Sequence, residues 1–291
     1  MGEKLTLLKP KIDVVFHALF REGNEKITKA MIQAATKEKI QKVNLDNDKH
    51  LVGKYPEEKL GIVDLKATLD NGTICDIEIQ LADNKDTAER FLFYWSRIYA
   101  GQLVKGDDYG KLNKVIGIII IDYELEKTKE VQKLSTKWKI REVSTGKQIE
   151  LTDVFELYII EIPKARRMLK EEPKNELAQW VMFINDPNES EVSKIMEDNK
   201  EIKEAMNELE KISKDKELRR VAELREKAIR DEKNGLRHAK EEGIKEGIKE
   251  GIKEGIEQVA KKMLELNIPI QDIIKTTGLQ EKQILELKKN V

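Results

Sequence analysis

Apolar and polar residues alternate on both sides of a turn-like Asp70-Asn71-Gly72 in the stretch GIVDLKATLDNGTICDIEIQLAD, residues 61–83. Strict alternation marks a half-buried strand, whose successive side chains point to opposite faces. In the second run Asp76, Glu78 and Gln80 share one face, and Cys75, Ile77, Ile79 and Leu81 share the other. In the first run Asp64, Lys66 and Thr68 oppose Val63, Leu65 and Ala67. Loop length decides which faces meet. A two-residue Asn71-Gly72 turn pairs Leu65 with Glu78. A three-residue loop, with Gly72 left-handed in a bulge, pairs Asp64 with Glu78 and Lys66 with Asp76. Only the second gathers the apolar residues on one face and the charges on the other, so the pattern predicts the three-residue loop.

The rest of the chain can be read the same way. Residues 11–36 carry helical spacing, Ile12, Val15, Phe16, Leu19 and Phe20, then Ile27, Ala30, Met31 and Ala34 beyond Gly23-Asn24. Residues 37–60 are polar and read as loop, alone or with a short strand. Residues 84–106 read as an amphipathic helix with Phe91, Trp95, Ile98, Tyr99 and Leu103 along one stripe and Arg90, Tyr94 and Arg97 beside it. KVIGIIIIDY is continuously apolar, as in a strand buried on both faces, and Asp122 then starts a turn. STKWKIREV and VFELYIIEI read as two more strands. The first sets Lys137, Lys139 and Arg141 on one face and Trp138 and Ile140 on the other. That basic stripe suits a DNA backbone, and it equally suits an edge strand guarded against aggregation. Pro163 opens a helical stretch, and Trp180, Val181, Phe183 and Ile184 mark a last core helix before Asp186-Pro187.

Beyond residue 189 aromatics vanish and a long Glu, Lys, Ile, Leu and Ala-rich helical region is expected outside the sheet core. From Gly243 the unit Gly-Ile-Lys-Glu recurs every four residues through Ile256. Each glycine costs a helix about 0.8–1 kcal/mol against alanine. Either a partner helix repays this through close approach at a right-handed crossing, or the tract is a solvated linker. Residues 257–291 read as three short helices turning at Pro269 and Thr277-Gly278, a helix-turn-helix-like tail. Lys282, Lys288 and Lys289 give it a weak basic face, so chain pairing and DNA contact both stand as readings.

Composition narrows the function classes. Charged residues make up 37% and the net charge is −1, so any nucleic-acid footprint is local rather than global. The single cysteine, Cys75, excludes a disulfide framework within the chain and fits a reducing, cytoplasmic setting. No apolar run reaches membrane-spanning length, and the N-terminus is read as lacking a signal-peptide pattern.

The hairpin carries the candidate chemistry. Directly paired residues have Cβ atoms roughly 4.5–5.5 Å apart. Carboxylates that close, Asp64 and Glu78, repel unless a proton or cation sits between them. Lys66 relieves part of this as an ordinary salt bridge. A divalent ion relieves it better, and Mg²⁺ is usually held by one or two carboxylates plus substrate phosphate.

These residues resemble the PD-(D/E)XK nuclease superfamily, whose pattern is an Asp on one strand, then Glu or Asp, one residue and Lys on the next. Here it falls on Asp64, Glu78 and Gln80. Gln in the last place looks like the variant of the Rpn branch, recombination-promoting nucleases also described as transposases. LKPKIDVVFHALFREG, CDIEIQ, RFLFYWSRIYAGQLVKGDDYGKLNKVIGIIIID, YIIEIPKA and the EGIKEGIKEGIKEGI tract follow that branch in order. The resemblance implies an α/β fold, a mixed sheet flanked by helices, and an Mg²⁺ or Mn²⁺-dependent DNA endonuclease linked to recombination, mobile elements or defence. It implies that Asp64 and Glu78 hold the metal, that the Ile79 carbonyl adds a ligand, and that Gln80 positions water. Asp13 is a further acidic candidate, with helix N-capping as its plainer role. Lys66 is a stand-in for the missing motif lysine, and Arg90, Arg97, Lys137, Lys139 and Arg141 are candidate DNA contacts. The expected organisation is a catalytic domain over 1–187, a charged helical arm over 188–256, and a trihelical tail over 257–291 that joins chains into a homo-dimer or higher homo-oligomer. The competing reading is a catalytically silent, nuclease-derived DNA-binding or oligomerising protein, kept open by Gln80.

Overall fold

The computed structural model describes residues 5–46, 50–51, 61–62, 65–83 and 85–288. Helices α1 (Asp13–Leu19) and α2 (Glu25–Thr36) come first. They replace the single helical stretch expected there, because Gly23 takes a positive φ of 93° between them. Strands β1 (Val43–Asp46), β2 (His50–Leu51), β3 (Gly61–Ile62), β4 (Leu65–Leu69) and β5 (Ile74–Gln80) follow. Helix α3 (Thr87–Ala100) leads into β6 (Val115–Ile121), β7 (Ser135–Trp138) and β8 (Phe155–Glu161). The rest is helical: α4 (Ala165–Glu171), α5 (Glu176–Asn185), α6 (Ser190–Asp198), α7 (Lys200–Ile212), α8 (Lys216–Glu265), α9 (Ile270–Thr277) and α10 (Glu281–Lys288).

Six strands form one mixed sheet in the order β1-β4-β5-β6-β8-β7, and β2 pairs with β3 separately. The central strands β5, β6 and β8 run parallel, while β1, β4 and β7 are antiparallel to their neighbours. Parallel central strands are covered on both faces, and every residue of β6 and β8 is buried. One face of the sheet carries the larger core. There Cys75, Ile77, Ile118, Ile120 and Ile160 meet Val15, Phe16 and Phe20 of the α1 region, Met31 and Ile32 of α2, and Trp180 and Phe183 of α5. On the other face, Phe91 and Tyr94 of α3 pack on Ile119, Ile121, Leu157 and Ile159. Gly117 lies between these layers, where a Cβ would fall 2.6 Å from Leu157 Cδ1, so the close approach of Leu157 requires glycine.

The larger core does not stop at residue 187. Val192 and Ile195 of α6, Ile202, Ala205, Met206 and Leu209 of α7 and Ala222 of α8 belong to it. Helices assigned from composition to an arm outside the core thus bury an apolar stripe against it. Compact units span Met1–Ile229 and Arg230–Val291. Within the second, Ala260, Ile273 and Ile284 form a small core with Leu264, Ile268 and Leu279 packed around it. Gly278, left-handed at φ 71°, ends α9 where the turn was expected. The Gly-Ile-Lys-Glu tract is helical, with Ile244, Ile248 and Ile252 exposed.

Candidate active site

The β4–β5 register decides what stands beside what. Lys66 is opposite Asp76 and Leu65 opposite Ile77, as the three-residue loop requires. Leu69 N–H donates to Thr73 O at 2.8 Å, Gly72 N–H donates to Leu69 O at 3.0 Å, and Gly72 sits at φ 83°. The expected left-handed glycine closes the turn. Asp64, and with it the expected Asp64–Glu78 pairing, lies outside the described residues.

On β5 the acidic face is not solvated. Asp76 and Glu78 are each 4% exposed and Gln80 is 8% exposed. They stand opposite Gly117, Ile119 and Ile121 of β6, on the face that α3 covers. Carboxylates leave water only at a cost of several kcal/mol unless charge or hydrogen bonds compensate, so this face is not an ordinary solvated one. Gln80 Nε2 donates to Ala82 O at 3.1 Å, while its Oε1 is buried with no hydrogen-bond partner among the described residues. Ile79 stands opposite Ile120 and turns its side chain to the larger core. Cys75 is wholly buried there, and burial pushes its thiol far up, so it is inert packing.

These donors suit a hard divalent ion. Carboxylate and amide oxygens on one strand face, one of them an unsatisfied buried oxygen, are the ligand type such ions take. Among the described residues no group of three or more His, Cys, Asp or Glu could hold a metal, so the described part of the set is Glu78 and its neighbours on β5.

A second cluster closes the same end of the sheet. Asp122 follows β6, and its N–H donates to Gln80 O at 3.0 Å. Lys11 Nζ donates to Asp122 Oδ2 at 3.2 Å and to Asn185 Oδ1 at 2.8 Å. Nearby, Tyr123 and Thr87 share a hydroxyl hydrogen bond of 2.7 Å. Sequence reading took Asp122 only for a turn residue and passed over Lys11 and Asn185, whose partners are 111 and 174 positions away. Asp13 is the first residue of α1 rather than its N-cap, and no side chain caps that helix. It faces Arg225 at 3.5 Å instead.

A family model described as PD-(D/E)XK nuclease family transposase matches residues 10–239, more than half of the chain. The chain belongs to this family. No curated protein and no solved structure matches it. Nucleases of the PD-(D/E)XK kind generally use divalent metal ions, in agreement with the oxygen-rich face of β5. None of the helices among the described residues is long and apolar enough to cross a membrane.

The arginine and lysine candidates of this PD-(D/E)XK chain divide into two groups. Arg90 and Arg97 lie on α3, the helix that covers the Glu78 face. Arg90 donates to Tyr94 Oη at 3.1 Å, and Arg97 sits 5.8 Å over the Phe93 ring. The stripe on β7 is turned the other way. Lys137 and Lys139 reach Glu156 at 2.9 and 3.0 Å, Lys114 reaches it at 3.1 Å, and Lys139 also binds Glu150 at 2.6 Å. Trp138 and Ile140, on the other face, are 41% exposed. Arg141, beyond the strand, donates to Gln148 Oε1 at 3.3 Å. A buried glutamate explains why the lysines turn to this face, because an unpaired one is costlier than two half-exposed apolar side chains.

Burial by itself pushes the Glu156 carboxyl up, but hydrogen bonds from the three lysines outweigh it and hold the group at about 2. A depressed carboxylate stabilises the fold above its ordinary range, near 4.5, and that contribution fades as pH falls toward 2. Glu156→Gln should therefore cost about 1–3 kcal/mol at neutral pH. The gap from the parent, measured by urea unfolding, should narrow through the acid range. A gap that stays constant with pH would refute the network.

Proposed function

We propose that the chain is a divalent-metal-dependent DNA endonuclease that hydrolyses phosphodiester bonds. The observation that carries this reading is the burial of Glu78 beside Gln80, whose Oε1 has no partner among the described residues, on one face of a central strand in a PD-(D/E)XK family chain. The Lys66–Asp76 register, continued by two residues, supports Asp64 as the carboxylate opposite Glu78. Asp64, Glu78 and the Ile79 carbonyl are the proposed holders of Mg²⁺ or Mn²⁺. When bound, the ion supplies charge neutralisation at the phosphate and a more acidic water. Gln80, anchored through Nε2 on Ala82, offers Oε1 to orient the attacking water. Arg90 and Arg97 are proposed to meet the DNA backbone. A cytoplasmic setting and a role in recombination, mobile-element movement or defence belong to the same proposal.

Gln80 also favours a second reading. An uncharged amide in the motif's lysine position fits a silent, nuclease-derived DNA-binding or oligomerising protein. Incubating supercoiled plasmid with purified protein, with and without Mg²⁺ or Mn²⁺, separates the two. Divalent-dependent nicking is expected, and its absence from the parent protein would leave the second reading standing.

Asp64→Ala and Glu78→Ala should each abolish nicking while cooperative unfolding is retained. Full cleavage by either folded variant would remove that residue from the site.

Gln80→Lys restores the general pattern and should keep or raise the nicking rate. Gln80→Leu should cut it strongly. A leucine variant as fast as the parent would show that Gln80 only fills space.

We further propose that Arg230–Val291 joins chains into a homo-oligomer, two-fold pairs being the commonest soluble assemblies. Two linked sites then suit cuts on opposite strands. A chain ending after Ile229 should scatter light as a smaller species that nicks DNA but makes fewer double-strand breaks. Retention of the parent's mass multiple would place the contact elsewhere.

A further inference from the structure

We propose that Lys11 is a phosphate-binding residue beside the active strand, supplying the positive charge that Gln80 lacks. The inference rests on the endonuclease reading and adds a residue from a different element. Three observations carry it. First, the ammonium is fixed in place. Pro10 and Ile12 are buried on either side of it, the Lys11 N–H donates to Ile184 O at 2.9 Å, and Nζ is held by Asn185 and Asp122 at 2.8 and 3.2 Å. A lysine so held has already given up the rotamer freedom that ligand binding would otherwise cost.

Second, the head group is not used up. An ammonium has three N–H donors, and two are taken. The third has no partner among the described residues, and the side chain is 19% exposed, so the partly buried charge keeps a donor and an opening to solvent. A clamp built only to stitch α1 to β6 needs no such opening.

Third, its position is right. Asp122, which binds the ammonium, is itself held by its N–H to the carbonyl of Gln80 at 3.0 Å. The cation therefore sits at the carboxyl ends of β5 and β6, which run parallel, and ligands of open α/β sheets bind at such ends. Lys66, the stand-in suggested by the hairpin alone, is instead opposite Asp76, nearer the turn. Lys11 has the geometry of a point charge for a phosphate oxygen, the role lysine commonly plays for phosphate.

The test uses the full-length protein and a short fluorescent DNA duplex in Ca²⁺, titrated across salt concentrations. Lys11→Met should bind about tenfold more weakly, and its plot of log K against log salt should flatten by about 0.9, the signature of one lost phosphate contact. Lys11→Arg should restore most of the affinity. Because Lys11→Met also removes an ammonium that pairs with Asp122, Lys11→Met/Asp122→Asn is measured alongside, with thermal melts of both. The double variant removes the ion pair together and should recover stability without recovering DNA affinity. Parent affinity and parent salt slope in the folded double variant would overturn the proposal and leave Lys11 a structural clamp. Plasmid assays keep the two readings apart. Weakened binding by Lys11→Met, with no nicking by the parent under any divalent ion, would overturn the endonuclease reading but keep Lys11 as a DNA contact. Nicking by the parent with unchanged binding by both variants would do the reverse.

Discussion

Burial of charge on a central strand is the constraint around which the first unit is built. β5 lies between β4 and β6 with the larger core on one face and α3 on the other, yet three of its inward positions are Asp76, Glu78 and Gln80. Apolar packing alone would have filled them with valine or isoleucine, as β6 does. Their presence requires cationic or hydrogen-bonding groups to converge from elsewhere. Helix α3 supplies the roof with Phe91 and Tyr94 and brings two arginines on its outer surface. Glycine at 117, opposite Asp76, admits Leu157 instead of another β-branched side chain.

The same sheet holds a second buried acid on its opposite face, and the contrast is instructive. Glu156 is surrounded by three lysines and is fully answered from within the chain. Glu161, at the end of β8, is likewise paired with Lys164 and accepts hydrogen bonds from Leu125 and Thr128. Both have the character of structural ion pairs, answered by lysines of the same chain. Gln80 Oε1, by contrast, is buried with neither a hydrogen bond nor an ion pair among the described residues. Saturation separates charges that hold the fold from groups kept available for a ligand.

Hairpin register was legible in the sequence because two local rules agree. Alternation fixes which residues share a face, and Asp70-Asn71-Gly72 fixes the pairing sum, with Gly72 the residue that adopts the left-handed turn. β6 was legible because seven consecutive buried positions permit little else. β7 was not. Alternation correctly grouped Lys137 with Lys139 and Trp138 with Ile140, but it says nothing about which group points inward. A glutamate on another strand decided that. That α6 and α7 reach the core was hidden for a related reason: their charge content is high, yet an apolar stripe needs only one residue in three or four to reach a core. Lys11 was invisible because its partners come from the far end of the unit.

One feature of α8 bears on how such a chain changes over generations. Its Gly-Ile-Lys-Glu units follow one another without interruption, so a change in their number adds or removes whole four-residue copies. The glycines Gly243, Gly247, Gly251 and Gly255 have no neighbouring atom of another part of the described chain within 4 Å of an added Cβ, and Ile244, Ile248 and Ile252 are exposed while Ile256 is half-buried. A copy gained or lost therefore displaces no buried residue of the chain that carries it. It changes the helix by about 6 Å, four residues at 1.5 Å each, in a reading frame that is always kept. The tract makes helix length a trait that can vary in discrete steps between closely related lineages, while the residues of the sheet stay as they are.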